Sequence, residues 1–215
     1  MPVDAPSYPV NLLLDGRRVL VVGGGTVAAA KVQGLLAAGA VVHVVASEVG
    51  ADIRASVATW DERPYARGEV AGYRLAVACT DDAAVNQAVF DDGEAAGVWV
   101  NAADDPERCS YTLPARLDRG RLLVTVSTSG ESPAFAGWLR DQLAADLGPE
   151  HETLLDLLAE ARRSLAAGGR ARPVADWRAA LDSGMLDLIR SGRTAEAREL
   201  LHAALRLDDA TPETR

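Results

Sequence analysis

Gly23, Gly24 and Gly25 follow the apolar run 19–22 directly, and Thr26, Val27 and Ala28 come next. The spacing Gly23-x-Gly25-x-x-Ala28 suits a chain that turns sharply and brings its backbone against a pyrophosphate, with a small residue at 28 so that a helix packs closely on the strand. Amides from Thr26 onward would face the anion with a helix dipole behind them. The chemistry so predicted is the holding of a dinucleotide. Ser47 and Glu48 stand near the place where an acid clasps an adenine ribose. Glu48 falls late for that role, but no arginine waits there for a 2′-phosphate, so NAD is expected over NADP. Thr80, Asp81 and Asp82 end another apolar run. Asn101 opens the stretch Asn101-Ala102-Ala103-Asp104-Asp105-Pro106, whose two carboxylates suit either proton transfer or turn chemistry. The hydroxyl-rich stretch 127–132 suits either helix capping or the binding of carboxylates through hydroxyls and free amides.

Four of these clusters sit at the ends of apolar runs, where a doubly wound parallel sheet binds its ligands. Strands are predicted over 19–22, 41–46, 73–79 and 98–102, with a short edge strand over 60–65 interrupted by Pro64, and helices over 28–38 and 83–96. The alternation makes residues 1–112 an α/β domain with a Rossmann-type, doubly wound parallel sheet. From 113 to 148 the rhythm changes to a small α+β segment. A turn is predicted at 116–120, a strand over 122–126, and a helix over 133–147 with Ser132 as N-cap and Pro133 in its first turn. Phe135, Trp138, Leu139 and Leu143 fall on one stripe of that helix, which is either core or a subunit interface. Residues 149–215 read as a helical domain. Its leucine-rich first helix breaks at Gly168-Gly169, further helices follow over 174–181 and 194–207, and the tail 208–215 is expected to fray.

The chain has 215 residues, 48% of them hydrophobic, enough for a sizeable core. Its net charge of −9 argues against nucleic acid as a partner, because phosphate binding needs a concentrated basic face. No apolar run approaches the ~20 residues that span a bilayer and no secretory leader is visible, so no membrane partner and a cytoplasmic location are expected. Cys79 and Cys109 read as small buried side chains rather than a disulfide, and His43, His151 and His202 lack metal-ligand spacing, so no resident metal is expected. Lys31, the sole lysine, reads as a solvated helix charge.

The motifs taken together resemble one family. Asn101-x-x-Asp104-x-Pro106, Tyr111-x-x-Pro114-Ala115, Arg119-Gly120-x-Leu122 and Val126-Ser127-Thr128-x-Gly130-x-Ser132-Pro133-Ala134 are similar to the dehydrogenase/ferrochelatase part of siroheme synthases, the precorrin-2 dehydrogenase family. The resemblance also includes Gly23-Gly24-Gly25-x-Val27-Ala28 and Ala78-x-Thr80-Asp81-Asp82-x-x-x-Asn86, and runs from Pro9-Val10 to about residue 147. It implies NAD-dependent oxidation of precorrin-2 to sirohydrochlorin, with insertion of Fe²⁺ as a substrate ion into the product as a further activity. Asp104 matches the family's functional aspartate and would be the general base. Gly23, Gly24, Gly25, Thr26, Val27, Ser47, Glu48, Thr80, Asp81 and Asn101 would hold the cofactor. Ser127, Thr128 and Arg119 would meet substrate carboxylates, with Arg116, Arg121 and Arg140 as further cations. The family's homodimers exchange the region after the sheet, which makes the Phe135, Trp138 and Leu139 stripe the expected interface. The fused methyltransferase domain of siroheme synthases is expected to be absent. Two other functions fit the glycine turn alone: a non-catalytic NAD-sensing module, and an NAD-dependent reductase of an unrelated small substrate.

Overall fold

The computed structural model describes residues 6–103, 105–168 and 174–207; Asp104, Gly169 and the tail 208–215 therefore lie outside the described residues. The chain divides into two units, Met1–Leu113 with Thr128–Ser132, and Pro114–Ser127 with Pro133–Arg215.

The first unit runs β1 (Arg18–Val22), α1 (Thr26–Ala37), β2 (Val41–Ala46), α2 (Ala51–Ser56), β3 (Thr59–Glu62), β4 (Leu75–Ala78), α3 (Ala83–Ala96), β5 (Trp99–Ala102) and a 3₁₀ turn (Pro106–Arg108). Its strands are parallel, in the order β3-β2-β1-β4-β5. The chain steps outward from β1 to β3, then returns to the other side of β1 for β4. The switch point thus lies between β1 and β4, directly at the glycine turn. The apolar run of β1 is explained by burial on both faces. Val19 and Val21 join Ala28, Val32 and Ile53 on one face, while Leu20 and Val22 join Val89 and Val100 on the other. α3 approaches β5 so closely that a Cβ on Gly93 would stand 2.2 Å from Val100 Cγ2. Asp82 caps α3 by accepting from the Ala84 amide at 2.8 Å, and Gly97 ends it in the left-handed conformation. The doubly wound parallel sheet is as expected. Two local readings change: the edge strand stops at Glu62, before Pro64, and α2 was not anticipated.

In the second unit β6 (Ala115–Arg119) and β7 (Leu122–Val126) form an antiparallel hairpin, from Ala115 opposite Val126 to Arg119 opposite Leu122. This corrects the turn expected at 116–120. Leu117 is buried between exposed Arg116 and Asp118, a period-two pattern that makes strand, and only Gly120, at φ +55°, takes the turn conformation. α4 (Pro133–Asp146) follows, then α5 (Glu150–Ala167), α6 (Val174–Leu181), α7 (Met185–Arg190) and α8 (Thr194–Leu205). Leu154, Leu157, Ala161 and Leu165 recur at helical spacing on α5 and bury against Met185, Leu201 and Leu205. No helix among the described residues is long and apolar enough to cross a membrane.

Candidate functional site

The three glycines are required for different reasons. Gly23 has φ +131°, and a Cβ there would stand 2.4 Å from the carbonyl oxygen of Cys79. A Cβ on Gly24 would fall 1.8 Å from the carbonyl oxygen of Glu48, and the Gly24 carbonyl accepts from the Gly50 amide at 3.0 Å. Both positions are therefore closed by the protein's own packing. Gly25 differs: its backbone is extended, at φ −83° and ψ −168°, and a Cβ there would meet nothing within 4 Å. It is the N-cap of α1, and no side chain caps that helix. The result is an open seat above uncapped helix amides, which suits an anion as large as a pyrophosphate. Thr26 and Val27 are exposed at the rim, and Ala28 is fully buried beneath it.

The residues expected to accompany this turn lie at the ends of the neighbouring strands. Ser47 and Glu48 are exposed after β2. The loop that carries them is braced by residues the sequence reading missed: Glu62 accepts from the Val49 amide at 3.2 Å, and Arg54 Nε donates to the Val49 carbonyl at 2.9 Å. Arg54 also pairs with Glu62; that bond first, then the Val49 amide, holds the Glu62 carboxyl below its ordinary range. After β4, the Thr80 hydroxyl donates to Asn86 Oδ1 at 2.8 Å and the Asn86 amide returns a bond to the Thr80 carbonyl at 2.9 Å, while Asp81 is exposed. Cys79 packs behind the turn; burial pushes its thiol up to about 12, so it stays neutral and acts as a small apolar neighbour.

Asn101, near the end of β5, is 8% exposed, and its amide is engaged within the protein. Nδ2 donates to the Tyr111 carbonyl at 3.0 Å and to Cys109 Sγ at 3.3 Å. Asn101 and Cys109 also form an antiparallel bridge, and the Cys109 thiol donates to the Ala102 carbonyl at 3.3 Å. The loop between them is thus tied at its base. Of its two adjacent acids, Asp105 caps the 3₁₀ turn and is committed to an ion pair with Arg108, whose Nε donates to Gln87 at 2.6 Å.

In the second unit, Arg119 Nε donates to the Leu147 carbonyl at 3.1 Å and Nη2 to the Ala144 carbonyl at 3.4 Å, so its guanidinium caps the end of α4. Arg116 pairs with Asp118, Arg121 with Asp156 and Arg140 with Asp141. Ser127 ends the stretch after β7, and Thr128 begins the one grouped with the first unit. Thr128 Oγ1 accepts from the Ser132 amide at 3.1 Å and the Thr128 carbonyl from the Glu131 amide at 3.0 Å. On α4, Phe135 and Trp138 stack at 5.7 Å between centroids and are 51% and 56% exposed. Among the described residues no group of three or more His, Cys, Asp or Glu could hold a metal ion.

A parallel sheet with a glycine turn at its switch point and an uncapped helix beyond it defines a Rossmann-type NAD(P)-binding unit. A family model described as NAD(P)-binding matches residues 10–115, and one described as sirohaem biosynthesis protein central matches residues 119–145. The siroheme synthase of Azotobacter vinelandii is 37% identical over 199 residues, covering 89% of this chain and 43% of that protein. That of Chromobacterium violaceum is 37% identical over 201 residues, covering 89% and 42%. Among solved structures, SirC, precorrin-2 dehydrogenase, superposes with a TM-score of 0.71 at 27% identity, covering 93% of this chain and 100% of that one. The chain belongs to the siroheme synthase family, in the part shared with SirC. It spans about two fifths of the length of the curated relatives it matches.

Proposed function

We propose that this protein oxidises precorrin-2 to sirohydrochlorin with NAD⁺ in siroheme biosynthesis. The observation that carries the reading is the open seat at Gly25 over uncapped helix amides at the switch point, in a chain that covers the whole of a precorrin-2 dehydrogenase. A dinucleotide held by its pyrophosphate at that seat would supply the hydride acceptor through its nicotinamide. The chain supplies the rest. Gly25 and the amides of Thr26 and Val27 hold the pyrophosphate, Ser47 and Glu48 flank the adenine ribose, and Thr80, Asp81 and Asn101 shape the nicotinamide side. Asp104 takes the proton that leaves the macrocycle with the hydride; its neighbour Asp105 is already committed to Arg108. Ser127 and Thr128 donate to substrate carboxylates, and Arg119 serves the same segment by fixing the end of α4. Two copies associate through the exposed Phe135 and Trp138 face.

The test is anaerobic turnover of precorrin-2 with NAD⁺, following NADH and the sirohydrochlorin spectrum. Wild type should turn over, and Asp104→Ala should lose on the order of 100-fold or more in kcat, the usual worth of a positioned base. No turnover by wild type sinks the dehydrogenase reading in favour of a nucleotide-sensing module. A wild-type rate in Asp104→Ala sinks the assignment of the base. An arm with sirohydrochlorin and Fe²⁺ reads metal insertion, in which the same carboxylate would accept the pyrrole protons.

A further inference from the structure

The reading above gives Tyr111 no task, although its surroundings give it one. Residues 109–111 run back alongside β5: Cys109 bridges Asn101, the Ser110 amide donates to the Val100 carbonyl at 2.8 Å, and Asn101 holds the Tyr111 carbonyl. The tyrosine is partly buried against the core on the α1 side of the sheet, the core that Ala29 and Leu35 of α1 and Cys79 also flank, and the Cys79 thiol lies near enough to act electrostatically on its phenol. Cys79 in turn abuts the glycine turn, since a Cβ on Gly23 would stand 3.1 Å from its Sγ. Tyr111 is thus tied to β5 through its carbonyl and lies in the neighbourhood of Cys79, which follows β4.

Its hydroxyl has no hydrogen-bond partner among the described residues, and none of their buried side-chain oxygen or nitrogen atoms is left unpartnered. The phenol oxygen must then reach solvent. Burial around the ring holds its ionisation well above the usual tyrosine range, so the group stays a donor at any working pH. Phenylalanine would fill the same space without a polar atom to satisfy, and a hydroxyl poised at the rim of a binding cleft is matched when a ligand supplies the acceptor.

We infer that the Tyr111 hydroxyl is a binding group for the nicotinamide half of the dinucleotide. The pyrophosphate seat is at Gly25 and the adenine ribose lies toward β2, which leaves the β4 and β5 side, where Tyr111 stands, to the other half. The inference rests on the dinucleotide reading, and its test separates the two.

Tyr111→Phe removes one oxygen and keeps the ring. Calorimetric titration with NAD⁺ and with ADP, which lacks the nicotinamide riboside, should show NAD⁺ weakened about three- to tenfold, the worth of one neutral hydrogen bond, and ADP unchanged. Equal NAD⁺ affinity in the two proteins overturns the inference. So does a parallel loss for both ligands, which is what a structural fault would produce even if the variant melts lower. A wild type that binds neither ligand overturns the dinucleotide reading itself.

Discussion

Gly24→Ala and Gly25→Ala are adjacent, chemically identical changes with opposite expected consequences. At Gly24 the new Cβ falls 1.8 Å from the Glu48 carbonyl oxygen and 3.0 Å from the Ala46 Cβ. The oxygen cannot swing away freely, because the next residue is held on both sides, its amide by Glu62 and its carbonyl by Arg54. The loop must lift by more than an ångström, breaking the Gly50 amide bond to Gly24, about 1 kcal/mol, and adding an overpacking cost of about 1–3 kcal/mol. A loss of about 2–4 kcal/mol corresponds to a fall in Tm of roughly 5–15 °C for a chain of this size. At Gly25 the Cβ meets no atom and φ is ordinary, and the gain of about 0.4–1 kcal/mol from a less free unfolded chain is offset by alanine's poorer fit at an N-cap, so stability should change little. The methyl group instead enters the space assigned to the pyrophosphate, and NAD⁺ affinity should fall by about tenfold or more, some 1.4 kcal/mol. Thermal melting and calorimetric titration of both variants read the two quantities separately. A Gly25→Ala protein that binds NAD⁺ like wild type refutes the seat, and a Gly24→Ala protein that melts like wild type refutes the packing argument.

Asp92, buried on α3, accepts from the Gly68 amide at 2.7 Å, Arg67 Nε at 2.8 Å and the Tyr65 hydroxyl at 2.9 Å. Burial alone would raise its pKa, but Arg67, Gly68 and Tyr65 together lower it, so its contribution is full above the unfolded value of about 3.9 and fades as pH falls through the depressed one. Asp92→Asn should melt below wild type at pH 7, with the gap closing in acid; a gap that stays constant from neutral pH to the acid limit refutes this. Trp138→Glu places a charge on the exposed face of α4 and should give a monomer in sedimentation, whereas a wild type that is already monomeric at micromolar concentration removes the proposed interface.

What could be read from the residues in order was what depends on local period and local turn chemistry. The run 19–22 is β-branched because β1 is buried on both faces, and the glycines stand after it because two of them must fit under backbone from β2 and β4. Pro133 and the α5 leucines announced their helices for the same reason. The β6 strand was hidden because Asp118-Arg119-Gly120 carries a strong turn signal, and only pairing with β7 decides that the turn begins at Gly120. The brace of Arg54 and Glu62 had no signal at all. The two residues are brought together by α2 and β3, and neither carries a motif.

The same distinction bears on Asp105, the weaker candidate for the base beside Asp104. By residue type alone two neighbouring carboxylates can both serve, and the structure adds what engages one of them. Arg108 comes from the following 3₁₀ turn to pair with Asp105, and Gln87 of α3 holds that arginine from behind. An acid so engaged cannot turn to another partner without breaking the pair. The pairing anchors the loop after β5 to α3, and it is consistent with Asp104 rather than Asp105 as the proposed base. If Asp105→Ala lowers turnover as far as Asp104→Ala does, the anchor matters as much as the base, and only the pH dependence of kcat would tell the two roles apart.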